Sequence, residues 1–166
     1  MIEALKILAK AGSDIIIISD SNSIYIEQLL EVKIVHCISP ICLVDFDETR
    51  QFIRRNTTYE SEFLRCADTE KGLLMRSVAK GKELLDYIAM NGEYERLVYV
   101  GDGRNDFCPS TKLSSRDLVL PRTNRSFANL LKDIIYREQI VAQVEEWDTA
   151  EDLREIFKNH FGQSPS

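Results

Sequence analysis

Short β-branched runs alternate with segments of helical periodicity along most of this chain. DIIIISD (14–20), RLVYVGD (96–102) and RDLVLP (116–121) each enclose a few apolar residues between polar ones, which suits strands buried on both faces; 33–38 reads as a further strand. Helical spacing recurs around them. Ile2, Leu5, Leu8 and Ala9 form one stripe, with Gly12 placed to end it. Further helices are predicted over 20–30, 80–90, 126–137 and 149–160, the one over 80–90 turning Leu84, Leu85 and Ile88 inward. Strands separated by helices build a parallel sheet with right-handed crossovers, and such sheets collect ligands at the carboxyl ends of their strands. The pattern therefore predicts a doubly wound α/β domain.

The length of 166 residues is enough for one sizeable core, and we expect a single domain over 1–162 followed by a short tail, 163–166. A formal net charge of -6 gives no electrostatic reason to expect nucleic acid or an anionic membrane as partner. An anionic ligand would then need local positive groups or a metal. The longest apolar stretch, Ile15 to Ile18, is too short to cross a bilayer, and 1–12 lacks the pattern of a signal peptide, so a cytoplasmic protein is expected. Cys37, Cys42, Cys66 and Cys108 form no CxxC pair and are expected as thiols of a reducing compartment. His36 and His160 read as structural or surface histidines, and Trp147 as a core or edge aromatic.

The strand ends carry the chemistry. After LVYV comes GDGRNDFCP, where two glycines flank Asp102 and Asn105 and Asp106 follow closely; an exposed carboxylate there suits Mg²⁺, a hard cation, although the same residues also favour a plain turn. After DIIII comes SDSN. Ser19 can direct its hydroxyl and the following amides at an anion, or Ser19 or Asp20 can simply cap a helix. Lys80, in AKGKELL, starts a helix, where a lysine is ordinarily a solvated charge and can otherwise neutralise a phosphate.

In chain order, the hydroxyl of SDSN, the lysine of AKGK and the GDGRND loop resemble the second, third and fourth motifs of the haloacid dehalogenase superfamily of phosphatases. IIIISDSNSIYIEQLL, KGKELLDYI, LVYVGDGRNDFCP, LVLPR and VEEWDTAEDL resemble in particular the phosphoethanolamine/phosphocholine phosphatases and their pyridoxal-phosphate phosphatase relatives. The resemblance implies a Rossmann-like parallel sheet and Mg²⁺-dependent hydrolysis of a small phosphomonoester through an aspartyl-phosphate. It implies that Ser19 and Lys80 hold phosphate, that Asp102 ligates Mg²⁺, and that Asp106 orients metal-bound water or the lysine. Asp20 would contact the amine side of the substrate. The stretch before the lysine keeps Cys66 without the family's further cysteines.

Such phosphatases begin with a strand ending in DxDxT, whose first aspartate attacks phosphorus and whose second serves as acid and base. This chain starts at the helix before SDSN, so that central strand and the cap after it have no counterpart. A fragment or truncated product is therefore expected, prone to self-association along unpaired strand edges. Two readings then stand for ICLVDFDET (41–49). Asp45, Asp47 and Thr49 are either a displaced nucleophile motif or part of a loop after a later strand, and chain order favours the loop. A catalytically inactive protein that keeps the phosphate and metal sites is the alternative to an enzyme.

Overall fold

The computed structural model describes residues 2–18, 43–46, 52–54, 57–58, 80–92 and 94–162. These divide into two compact units, the first drawn from 1–62 and 149–166, the second from 63–148.

In the first unit, helix α1 (Ile2–Lys10) packs against the last helix of the chain, Ala150–Phe161. Ala4 of α1 and Leu153 and Phe157 of the last helix are buried, whereas Leu5, Leu8 and Ala9 of the stripe expected in α1 are half-buried. Glycine ends α1 for a conformational reason. Gly12 takes φ +75°, which lets the Ser13 amide reach back to the Leu8 carbonyl at 3.0 Å and the Gly12 amide to that of Ala9 at 3.1 Å. At the start of the last helix, Thr149 Oγ1 accepts from the Asp152 amide at 3.2 Å while the Asp152 carboxylate accepts from the Thr149 amide at 2.9 Å.

The sheet of this unit runs in the order β1 (Ile17–Ile18), β2 (Leu43–Phe46), β3 (Phe52–Arg54), β4 (Thr57–Thr58). β1 and β2 are parallel, with Ile17 opposite Leu43; β2 and β3 are antiparallel, with Asp45 opposite Ile53. Both edges of β2 are thus taken. The helix expected over 20–30 and the strand expected over 33–38 lie outside the described residues, as do His36, Cys37, Cys42 and Cys66.

The second unit holds helix α2 (Lys80–Asn91) and a parallel sheet of β5 (Val98–Gly101), β6 (Leu118–Pro121) and β7 (Gln143–Val144), with β6 in the middle. All of LVLP is buried, as a continuous apolar run predicts for a central parallel strand. Burying side chains such as Leu118 and Leu120 contributes roughly 1.5–3 kcal/mol each. Buried Asp117 clasps the lower end of this sheet: it accepts from the Leu97 amide at 2.8 Å and from the Ser114 amide and hydroxyl at 2.6 and 2.7 Å. Trp147 is buried at the far end, its indole donating to the Leu120 carbonyl at 2.9 Å with Arg122 stacked over the ring at 5.1 Å. This fits its reading as a core or edge aromatic.

Two sequence expectations are corrected here. In α2, Leu84 is buried but Leu85 is 46% exposed, because the buried face of the helix is set by Gly81 and Leu84. The single helix expected over 126–137 is two, α4 (Ser126–Leu130) and α5 (Ile134–Arg137). Asp133 interrupts it: with extended backbone, its carboxylate accepts from the Ile135 amide at 3.0 Å and so caps a new helix. No described helix is long and apolar enough to cross a membrane.

Candidate active site

Strand β5 ends at Gly101, and the chain turns at once into a 3₁₀ turn (Arg104–Asp106) followed by α3 (Phe107–Ser110). This tight turn folds the Asp106 side chain back beneath the loop. One carboxylate oxygen, Oδ2, accepts from the amides of Asp102 and Gly103, both at 2.8 Å. The other, Oδ1, accepts from Lys80 Nζ at 2.7 Å and from the Tyr99 hydroxyl at 2.9 Å. Neutral and charged donors therefore surround a carboxylate whose side chain is only 5% exposed, which is how a buried charge is tolerated.

Lys80 reaches Asp106 from the first turn of α2. It is not the solvated surface charge that its place at a helix start suggests: its side chain is 11% exposed. Buried Gly81 brings the helix start close to α3, since a Cβ there would stand 3.0 Å from Cys108 Sγ. Among the described residues, Lys80 has no partner other than Asp106.

Asp102 is fixed in backbone and open in side chain. Its amide is bound to Asp106, and its carbonyl accepts from the Phe127 amide at 3.0 Å and the Ser126 hydroxyl at 3.3 Å. Its carboxylate is exposed and has no partner among the described residues. A carboxylate so placed is a donor that a hard divalent cation accepts. No group of three or more histidine, cysteine, aspartate or glutamate side chains is gathered for a metal among the described residues.

The structure therefore brings together three of the residues singled out in the sequence, Lys80, Asp102 and Asp106. Ser19 and Asp20 lie outside the described residues, as do Asp47 and Thr49. Asp45 is in β2, paired with β1 and β3. Tyr99 escaped the sequence reading because in LVYV it is one more strand residue; only the return of Asp106 under the loop turns its hydroxyl into a ligand. Cys108 is a thiol and forms no disulfide. An open cleft of about 510 Å³ lies beside the loop, lined by Arg104, Ser126, Asn129, Leu130, Asp133 and Tyr136. Lys80, Asp102 and Asp106 do not line it, so the cleft does not mark the chemistry.

The lysine–aspartate pair and the open Asp102 carboxylate thus lie together at the carboxyl end of a parallel strand, β5. The chain belongs to the Putative Phosphatase family, whose pattern matches residues 1–161, and is of haloacid dehalogenase type. It is 32% identical over 164 residues to a thiamine phosphate phosphatase-like protein of Arabidopsis thaliana, covering 95% of this chain and 64% of the relative. A pyridoxal phosphate phosphatase of Rattus norvegicus is 38% identical over 128 residues, or 74% of this chain and 51% of its own. The phosphoethanolamine/phosphocholine phosphatase of Homo sapiens is 30% identical over 164 residues, 93% of this chain and 58% of its own. The chain thus spans about half to two thirds of the length of these relatives. No solved structure matches it significantly.

Proposed function

We propose that this chain carries the phosphate- and metal-holding part of a phosphomonoester hydrolase whose substrate is small, such as phosphoethanolamine, phosphocholine or pyridoxal phosphate. The observation that carries the reading is the 2.7 Å pair of Lys80 and Asp106 beneath the Asp102 loop. A lysine pinned by a buried carboxylate is preorganised, so its remaining N–H donors can meet phosphate oxygens without a cost of ordering a long side chain. Asp102 would hold Mg²⁺, which when bound offsets charge on the transferring phosphoryl group. Ser19 would add a hydroxyl to the phosphate, and Asp20 would favour a cationic or hydrogen-bond-donating leaving group. The fold read on this basis is the doubly wound sheet of the family, in a cytoplasmic setting where thiols such as Cys108 stay reduced.

One observation favours binding without turnover by these 166 residues. The strand that contains Asp45 carries an antiparallel partner, β3, on one edge, which is not the all-parallel setting of a central strand in a doubly wound sheet and supports reading ICLVDFDET as something other than the attacking strand. β1 and β5 each have a paired neighbour on one edge only among the described residues, and such edges also favour self-association.

The test is titration of the purified chain with each of the three substrates, with and without Mg²⁺, while released phosphate is followed. Binding without turnover is expected. Failure to bind any of them sinks the proposal, and Mg²⁺-dependent turnover abolished by Asp45→Asn would put the nucleophile in β2 after all.

A further inference from the structure

We infer that Tyr99 is a positioning residue for Lys80, acting through Asp106; the inference rests on the phosphate-holding role proposed above for that lysine. A carboxylate has roughly four lone-pair sites, and those of Asp106 are all engaged. Two go to the amides of Asp102 and Gly103 on Oδ2, and two to Lys80 and Tyr99 on Oδ1. The hydroxyl therefore competes with Lys80 for Oδ1. Because Tyr99 holds one site on that oxygen, Lys80 shares Oδ1 and is drawn to Asp106 less strongly than to an unshared oxygen. The rest of its donors stay available to a phosphate.

The fold gives Tyr99 this place on rigid structure. It lies within β5, in register with Val119 of the buried central strand β6, and it precedes by a few residues the turn that returns Asp106. Its half-buried side chain places the hydroxyl 2.9 Å from Oδ1. Tyr99→Phe keeps the ring and removes the hydroxyl that competes for Oδ1. Lys80 then leans further onto Asp106, and an incoming phosphate must pull it away.

The experiment reads Lys80 without substituting it. The whole chain is treated with an amine-acylating reagent over a series of inorganic phosphate concentrations, and the extent of modification at Lys80 is read by peptide mapping. Phosphate is expected to protect Lys80 in the parent, and Tyr99→Phe to raise the concentration for half-protection roughly three- to tenfold, the scale of one ordinary hydrogen bond. Thermal melts run in parallel, with Thr149→Ala as a variant that loosens the protein elsewhere and leaves half-protection at the parent value. An unchanged half-protection concentration in Tyr99→Phe, with or without a lower melting temperature, overturns the inference and leaves Lys80 as the phosphate holder. No protection by phosphate in the parent overturns the Lys80 reading and the inference with it.

Discussion

Gly101 lies so close to Asp106 that a Cβ on it would stand 2.6 Å from the Cβ, Cγ and Oδ2 atoms of that aspartate. The first glycine of GDG is thus required by the carboxylate folded beneath the loop. Gly101→Ala should displace Asp106 and cost about 1–3 kcal/mol through overpacking. Denaturant unfolding measures this, and an alanine variant as stable as the parent would mean that Asp106 sits elsewhere.

Removing Lys80 should do more than weaken anion binding. Sequence alone places the residue at an exposed helix start and so expects Lys80→Ala to leave the fold intact, but Asp106 would keep its charge in a buried setting after losing its cation. Lys80→Met should cost about 3–5 kcal/mol for this reason. Adding Asp106→Asn removes the stranded charge, so the double variant should lose less than the sum of the two single changes. Strict additivity in chemical denaturation would show that the pair is not coupled.

Asp102→Asn keeps the size of the side chain and removes its charge. Because only the backbone of Asp102 is tied into the loop, the melting temperature without metal should stay within a degree or two of the parent, as for surface substitutions generally. The rise in melting temperature on adding Mg²⁺ should shrink sharply. A full Mg²⁺-induced rise in the variant would move the metal away from Asp102.

Thr149 and Asp152 close the start of the last helix reciprocally. Thr149→Ala should cost about 1 kcal/mol, the usual value of a lost cap. Urea titration should show an earlier midpoint at unchanged slope, and no change in midpoint would deny the cap any energetic role.

Glu155 is held below the ordinary carboxylate range, first by its hydrogen bond from Lys158, and Glu3 likewise by Lys6. A depressed folded pKa means that the stabilisation is present above the unfolded pKa and is lost as pH falls through the folded one. Both carboxylates are exposed, and salt will screen these pairs. A carboxyl titration followed by NMR should show the Glu155 midpoint rising toward its ordinary value in Lys158→Met, or in strong salt; a midpoint indifferent to Lys158 would refute the cause.

The sequence by itself determined the local elements whose cause is local. LVLP reads as a buried parallel strand because four apolar residues in a row leave no polar face; Thr149 with Asp152 and Gly12 mark helix ends because capping and positive φ act within a few residues. It also marked Lys80, Asp102 and Asp106 in chain order. Tertiary structure alone decided what those residues face. Lys80 and Asp106 are 26 positions apart, and whether the lysine meets water or a carboxylate depends on how α2 docks on α3 through Gly81. Tyr99 is indistinguishable from its strand neighbours until Asp106 folds back beside it. The break at Asp133 belongs to the same class, since an aspartate in a helical stripe can be a surface charge or a cap. Periodicity records which face of a segment is apolar, but a hydrogen bond between distant residues requires two backbones to be brought within about 3 Å, and that distance is fixed by packing.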